Sequence, residues 1–132
     1  MKLAYPLSIA VLAMALTACS TLPPTAPITI STYANADYAK RMHKYDWVAV
    51  QITPQKSADE IAIKVYSRND VKKRQTCGYE GKAQWNGKGE YISKENIAFS
   101  FVDNSLVITG EETSLFYYCS GGASLAGTYE KI

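Results

Sequence analysis

Short runs in which apolar and polar residues alternate constrain the fold of this chain more than any other feature of its sequence. Val48, Val50 and Ile52 share one parity, and the same alternation recurs over residues 61–66 and 97–102. Because successive side chains of a strand point to opposite faces, a period of two predicts strands that bury one face. Few segments carry an apolar stripe at helical spacing, so the sequence predicts a fold that is mainly β.

Turn-forming residues separate these runs. Asn86-Gly87 is a strong hairpin signal, since both residues tolerate the positive φ of a tight turn, and Asp103-Asn104 marks another turn. The expected fold is a single small antiparallel meander, closed as a barrel or packed as a two-sheet sandwich. We predict a short helix near residues 35–44 and about eight strands, at residues 46–53, 61–66, 77–85, 90–93, 97–102, 106–109, 115–119 and 125–132.

The N-terminus has the pattern of an export signal. Met1 and Lys2 give a short basic head, and residues 3–16 carry no charge. A helix needs roughly 20 apolar residues to cross a bilayer core, so this run is too short to span one and has the dimensions of a signal-peptide core. We therefore expect residues 1–18 to act as a signal peptide.

The apolar run ends in Leu16-Thr17-Ala18-Cys19, which resembles the lipobox of bacterial lipoproteins: a branched apolar residue, two small residues and a cysteine. The resemblance implies that Cys19 becomes the lipidated N-terminus of a membrane-anchored protein, held by several acyl chains. An aspartate after the cysteine tends to retain this class in the inner membrane. Ser20 therefore implies the outer membrane, and we expect the domain to face the periplasm.

The cysteine count agrees with lipidation. Of the three cysteines, Cys77 and Cys119 remain once Cys19 is lipidated. Two thiols of a small domain in an oxidising compartment are expected to pair, so we predict a Cys77–Cys119 disulfide near the core that joins two distant strands. The alternative is two buried free thiols.

The segment after the lipobox is uncharged over residues 20–36 and contains Pro23, Pro24 and Pro27. Such a composition favours an extended, semi-rigid spacer of about 3.1 Å per residue, or roughly 40 Å over residues 20–31. We therefore predict a flexible tether over residues 19–32 and a β domain over 33–132, although Ile28-Thr29-Ile30 is a candidate edge strand.

The balance of 14 basic and 12 acidic residues gives no reason to expect nucleic acid as a partner. Two local basic groups stand out, one formed by Lys40-Arg41 with Lys44 and one by Lys72-Lys73-Arg74. Solvated surface is the simpler interpretation of both, and we favour it. The alternative is a site for an anionic partner, whose affinity would fall steeply with salt.

Catalytic signals are weak. His43 is the only histidine, so a nucleophile and base system or a zinc site lacks partners. No glycine-rich phosphate loop follows a strand and opens a helix, and Glu111-Glu112 is typical of a solvated turn. The sequence therefore predicts a protein without enzymatic activity and without a cofactor.

Tyrosine is the over-used residue, with ten in the chain. Tyr117 and Tyr118 are adjacent, so one of them points outward from the predicted strand. An outward tyrosine beside Tyr66 or Tyr91 would make a platform for a protein or a glycan, whereas tyrosines that fill a small core are the alternative. The candidate partner surface is therefore Tyr66, Tyr91, Tyr118, Lys72, Lys73 and Arg74.

A small outer-membrane lipoprotein with a disulfide in an antiparallel barrel resembles the lysozyme-inhibitor lipoproteins in general plan. Their inhibitory motif has a tyrosine two residues after a Ser-Gly pair, and a Lys-Gly motif downstream. Here Gly122, Ala123 and Ser124 follow Ser120-Gly121, and Lys88-Gly89 lies upstream. The resemblance therefore extends to architecture at most. We expect a binding or inhibitory module for an envelope or host-derived partner, or else a structural accessory of the outer membrane without a small ligand.

Overall fold

A computed structural model describes residues 22–43, 46–68 and 74–132. These residues form a closed barrel of eight antiparallel strands that follow one another in chain order. The mainly β meander is confirmed, and it is a barrel rather than a sandwich. The strands are β1 (Ser31–Ala34), β2 (Trp47–Pro54), β3 (Glu60–Arg68), β4 (Tyr79–Trp85), β5 (Tyr91–Ser93), β6 (Ile97–Val102), β7 (Ser105–Gly110) and β8 (Gly127–Lys131).

Strand β1 closes the barrel. It pairs with β2 through Ser31–Ile52 and with β8 through Tyr33–Lys131. The sequence suggests an edge strand at Ile28-Thr29-Ile30. The strand instead begins at Ser31, directly after this segment. By pairing on both sides β1 leaves no free edge, which is how a closed barrel avoids edge-to-edge association.

The barrel interior is filled by the inward parity of the strands. Strand β3 shows the pattern most clearly, since Ile61, Ile63 and Val65 are buried and Lys64 between them is exposed. Tyr91 and Phe99 are the largest of the fully buried side chains. A small eight-stranded barrel has an interior just wide enough for side chains, so this one holds a packed core.

The loops divide between two ends of the barrel, because alternate connections lie at the same end of an antiparallel meander. We call one the strap end; it carries the loops at residues 55–59, 86–90 and 103–104 and is reached by the strap, residues 22–30. We call the other the disulfide end; of the described connecting residues it carries 35–43, 74–78, 94–96 and 111–126.

The predicted strand at residues 115–119 is wrong. Glu112–Tyr117 forms a short helix, α1, in which Leu115 is buried and Tyr117 is exposed. Leu115 and Tyr118, three residues apart, both pack on the barrel core, which is helical and not strand spacing. Glu112 in the first turn also favours a helix there, because its charge complements the helix dipole.

Other local predictions hold in place with altered detail. The predicted helix near residues 35–44 is a 3-10 helix at Ala36–His43. The Asn86-Gly87 hairpin exists, but its loop covers residues 86–90, since Trp85 pairs with Tyr91. Asn86 Oδ1 accepts hydrogen bonds from the backbone N–H groups of Lys88 and Glu90 at 2.7 and 3.1 Å. None of the helices in the described residues has the length and apolarity needed to cross a membrane.

The strap packs against the barrel at the strap end. Trp85 Nε1 donates to the Leu22 carbonyl at 3.0 Å, and the Ala26 N–H donates to the Tyr91 hydroxyl at 3.3 Å. The Tyr91 hydroxyl in turn donates to the Ala58 carbonyl in the β2–β3 loop, also at 3.3 Å. The strap is therefore joined to two strands and a loop that lie far from it in sequence.

Candidate functional site

The predicted disulfide between Cys77 and Cys119 is confirmed. The two Cα atoms lie 4.1 Å apart, and the residues also form an isolated antiparallel bridge. Cys77 is buried in the core, whereas Cys119 follows α1 and is half-buried. The bond therefore joins the segment before β4 to the connection between β7 and β8, not two strands.

Backbone hydrogen bonds fix the chain on both sides of the disulfide. Gly78 N–H donates to the Tyr118 carbonyl at 2.9 Å, and Ser120 N–H donates to the Thr76 carbonyl at 2.7 Å. The buried Ser67 hydroxyl on β3 donates to the Cys77 carbonyl and accepts from the Cys77 N–H. Tyr118 is thereby held beside β4, although more than 30 residues separate them.

A groove of about 350 Å³ lies beside the disulfide on the outer side of β3 and β4. Tyr66 reaches it from the outward parity of β3, and Tyr118 reaches it from the end of α1. These two tyrosines, a lysine, a carboxylate and an amide present aromatic faces and hydrogen-bonding groups together. We call it the tyrosine groove; its lining includes Lys64, Tyr66, Gln75, Gly78, Tyr79, Glu80 and Tyr118.

Aromatic contacts position Tyr66. Trp47 packs edge-on against Tyr66 with ring centroids 6.0 Å apart, and Tyr38 of the 3-10 helix packs edge-on against Trp47 at 5.1 Å. The Arg41 guanidinium lies 4.3 Å from the Tyr38 ring centroid, within cation–π range. One wall of the groove is therefore continuous with the 3-10 helix.

Tyr79 and Glu95 lie beneath the groove. The Tyr79 hydroxyl donates to Glu95 Oε2 at 3.0 Å, and the Tyr118 ring packs edge-on against the Tyr79 ring at 4.8 Å. Burial, with a smaller contribution from the Glu95 charge, raises the pKa of Tyr79 to about 12. Gly81 leaves room for the Tyr79 ring, since a Cβ there would collide with the Tyr79 hydroxyl.

A second shallow groove, of about 270 Å³, continues from the first along the outer faces of β2 to β4. Lys64 and Glu80 line both grooves, and the small side chain of Ala62 lines the second groove. Lys82 Nζ lies 3.8 Å from a Glu60 carboxylate oxygen at the far end. Charges of both signs therefore follow the whole path.

The structure brings together part of the predicted partner surface. Tyr66 and Tyr118 line the same groove, and Arg74 is exposed directly before Gln75 in its lining. Tyr91, in contrast, is fully buried inside the barrel, so its predicted place on an outer platform is wrong. Cys19, Lys44, Lys72 and Lys73 lie outside the described residues.

Sequence reasoning missed Lys64, Gln75, Tyr79 and Glu80 as groove residues. Lys64 and Glu80 pair directly across β3 and β4, and the period-two alternation of β3 marks Lys64 as outward. The period of the strands does not indicate that residues 118–120 return to this position; only the predicted Cys77–Cys119 disulfide does so, by placing them beside residues 76–78.

Within the described ranges, no group of three or more His, Cys, Asp or Glu side chains is arranged to hold a metal ion. No protein-family model matches the sequence, and no match is found among curated proteins or solved structures.

Proposed function

We propose that this protein is a bacterial envelope lipoprotein, anchored in the outer membrane by lipid on Cys19, whose barrel binds a protein or glycan partner without catalysis. The proposal on the anchor rests on Leu16-Thr17-Ala18-Cys19 and on the apolar run before it. The proposal on binding rests on the tyrosine groove. We infer that the domain faces the periplasm.

The observation that supports binding most is the meeting of Tyr66 and Tyr118, which are 52 positions apart, in one groove beside the disulfide. Tyrosine supplies large contact area with a polar tip at low conformational cost, and it is enriched at binding hot spots. The packed barrel interior favours an outer surface over an internal cavity as the place of recognition.

A hydrolase that enters the periplasm is the leading specific partner. The test uses a soluble form of the protein, residues 21–132, which is produced with a signal peptide that is removed without lipidation. This soluble protein is added to a lysozyme-protection assay. We expect inhibition at micromolar protein, and a loss of at least about tenfold, roughly 1.4 kcal/mol, for Tyr66→Ala and for Tyr118→Ala. Val102→Ala at the strap end is the matched control and should inhibit as the unmodified protein does.

An absence of inhibition at micromolar concentration would remove lysozyme as the partner. The binding proposal is then tested in cells with a photo-crosslinking amino acid at position 66 or 118, and at position 102 for comparison. A discrete crosslinked species specific to positions 66 and 118 supports the proposal. Equal crosslinking at all three positions, or none at any of them, contradicts it.

The anchor has its own test. Metabolic labelling with a fatty-acid analogue should label the protein, and Cys19→Ala should abolish the label. Mass spectrometry of the N-terminal peptide should find residue 19 as the first residue and carrying acyl chains. An unlabelled wild-type protein, or a mature protein that begins elsewhere, would contradict a lipid on Cys19.

A further inference from the structure

The strap end of the barrel collects exposed apolar side chains. Val102 is the last residue of β6, and Ile132 follows β8, where its N–H donates to the Thr32 carbonyl of β1 at 3.0 Å. Leu22, Ile28 and Ile30 belong to the strap itself. All five are large apolar residues with more than half of their surface exposed, and Ile28 is 93% exposed.

The strap also limits how far this end can lie from the N-terminus. The Leu22 carbonyl accepts a hydrogen bond from Trp85, and Leu22 lies only three positions after Cys19. A fully extended chain covers at most roughly 3.6 Å per residue, so the Cα atoms of Cys19 and Leu22 lie within about 11 Å of each other. With these hydrogen bonds in place, residues 22–30 lie along the barrel and do not add to the distance between the anchor and the strap end.

We propose that the strap end is a membrane-contact surface, held against the bilayer that carries the lipid on Cys19. This inference rests on the proposed lipid anchor. The lipid surface is the occupant because the anchored residue leads directly to this end, and because the exposed apolar side chains there suit the boundary between headgroups and acyl chains. The tyrosine groove, on the outer side of β3 and β4 near the disulfide end, then lies on the part of the barrel that is farther from the membrane.

The test uses the full lipidated protein in nanodiscs of phosphatidylethanolamine and phosphatidylglycerol, with a small fraction of lipid carrying gadolinium on its headgroup. Paramagnetic relaxation of backbone amide signals reports the distance of each residue from the lipid surface. Strands of this length separate the two ends by roughly 20 Å. Since relaxation by a layer of labelled headgroups falls steeply with distance, and the ends differ by roughly 20 Å, we expect it to be at least about tenfold larger at the strap end.

Paired variants test the apolar contact. Ile28→Ser with Val102→Ser replaces exposed side chains, so the fold should be retained, and we expect relaxation at the strap end to fall by about half or more as the contact loosens. Met42→Ser with Tyr117→Ser, on exposed residues of the disulfide end, is the control and should change nothing. Unchanged relaxation in the first pair would overturn the contact.

The outcomes separate this inference from the proposed anchor. A protein without lipid on Cys19 that does not associate with the nanodiscs contradicts the anchor, and the inference fails with it. A lipidated, associated protein whose two ends relax equally, or whose disulfide end relaxes more, leaves the anchor standing and overturns the inference. Strong relaxation confined to the strap end supports both.

Discussion

The strap end and the disulfide end are both covered by chain that lies outside the sheet, but that chain is held in different ways. At the disulfide end a covalent bond, several backbone hydrogen bonds and the buried Leu115 hold residues 111–126. At the strap end two hydrogen bonds, from Trp85 and to Tyr91, hold residues 22–30. The difference teaches that the groove beside the disulfide is a covalently fixed surface, whereas the strap is held by noncovalent contacts, which include the packing of Ala26 on the core.

Removal of the disulfide should have the largest effect. Cys77→Ala with Cys119→Ala should lower the free energy of unfolding by up to about 4 kcal/mol, because the bond closes a loop with a sequence separation of 42. Urea unfolding measures the loss. Hydrogen exchange should accelerate at residues 111–126 and stay unchanged at residues 22–30, and equal acceleration at both ends would break the comparison.

Alkaline pH should destabilise the disulfide end next. Burial raises the pKa of both Tyr79 and Tyr129 to about 12, and the Tyr129 hydroxyl donates to the Leu125 carbonyl at 2.8 Å. Since the folded-state pKa values exceed the unfolded value of about 10, their stabilisation is complete below pH 10 and is lost as the pH rises towards 12. The loss is on the order of 3 kcal/mol for the more deeply buried Tyr129, and solvent screening makes it much smaller for Tyr79, whose hydroxyl lies in a part-buried contact with Glu95.

The check is a series of unfolding midpoints from pH 8 to pH 12, with tyrosinate absorbance recorded alongside. Tyr129→Phe should make stability less dependent on pH above 10. A flat stability profile in the unmodified protein, with all tyrosines ionising near their ordinary pKa, would show that neither hydroxyl is held in the core.

Truncation of Leu115 should have the third-largest effect on the free energy of unfolding. Leu115→Ala removes the buried contact of α1 with the barrel and should cost about 2 kcal/mol. Phe116→Ala, on the neighbouring residue that is 43% exposed, should cost under about 0.5 kcal/mol. Denaturant unfolding compares the two, and similar costs would mean that α1 does not cap the barrel through Leu115.

Loss of the strap hydrogen bond should have the smallest effect. Trp85→Phe removes the donor to the Leu22 carbonyl and should cost about 1 kcal/mol. The sharper readout is exchange of the Ala26 amide, which should accelerate, while the Cys77 amide stays protected. Trp47→Phe is the matched control, because Trp47 lies at the disulfide end and should leave Ala26 exchange unchanged.

Sequence reasoning succeeded where a strand is long enough to show its period. Residues 97–102 are predicted to the residue, because six alternating positions with a turn on each side leave little ambiguity. Strand β5 has three residues, too few for alternation to decide which face is buried. Tyr91 was therefore placed on the outside, whereas it lies in the core.

The failures at residues 115–119 and in the strap have another origin. Leu115, Tyr117 and Cys119 alternate over a segment no longer than one or two helical turns. A pattern this short is compatible with a helix as well as with a strand. The contacts of Leu22 with Trp85 and of Ala26 with Tyr91 span more than 60 residues, and no local pattern encodes them. Tyr66 and Tyr118 are both candidates from the sequence. Because they also lie far apart in the chain, the spacing of residues alone does not predict that they meet in one groove.

The pairing of β1 with β8 has a consequence for how the chain reaches its fold. Each neighbouring pair from β2 to β7 can form from local sequence, but closure joins Tyr33 to Lys131, across almost the full length of the domain. Contacts of such separation form slowly because a long loop must close first. Until then β1, paired with β2, and β8, paired with β7, each present an open edge, to which another unfinished copy can add a strand. Folding at high protein concentration should therefore produce intermolecular β pairing at these two edges, and the pairing of β1 with β8 protects the protein from it.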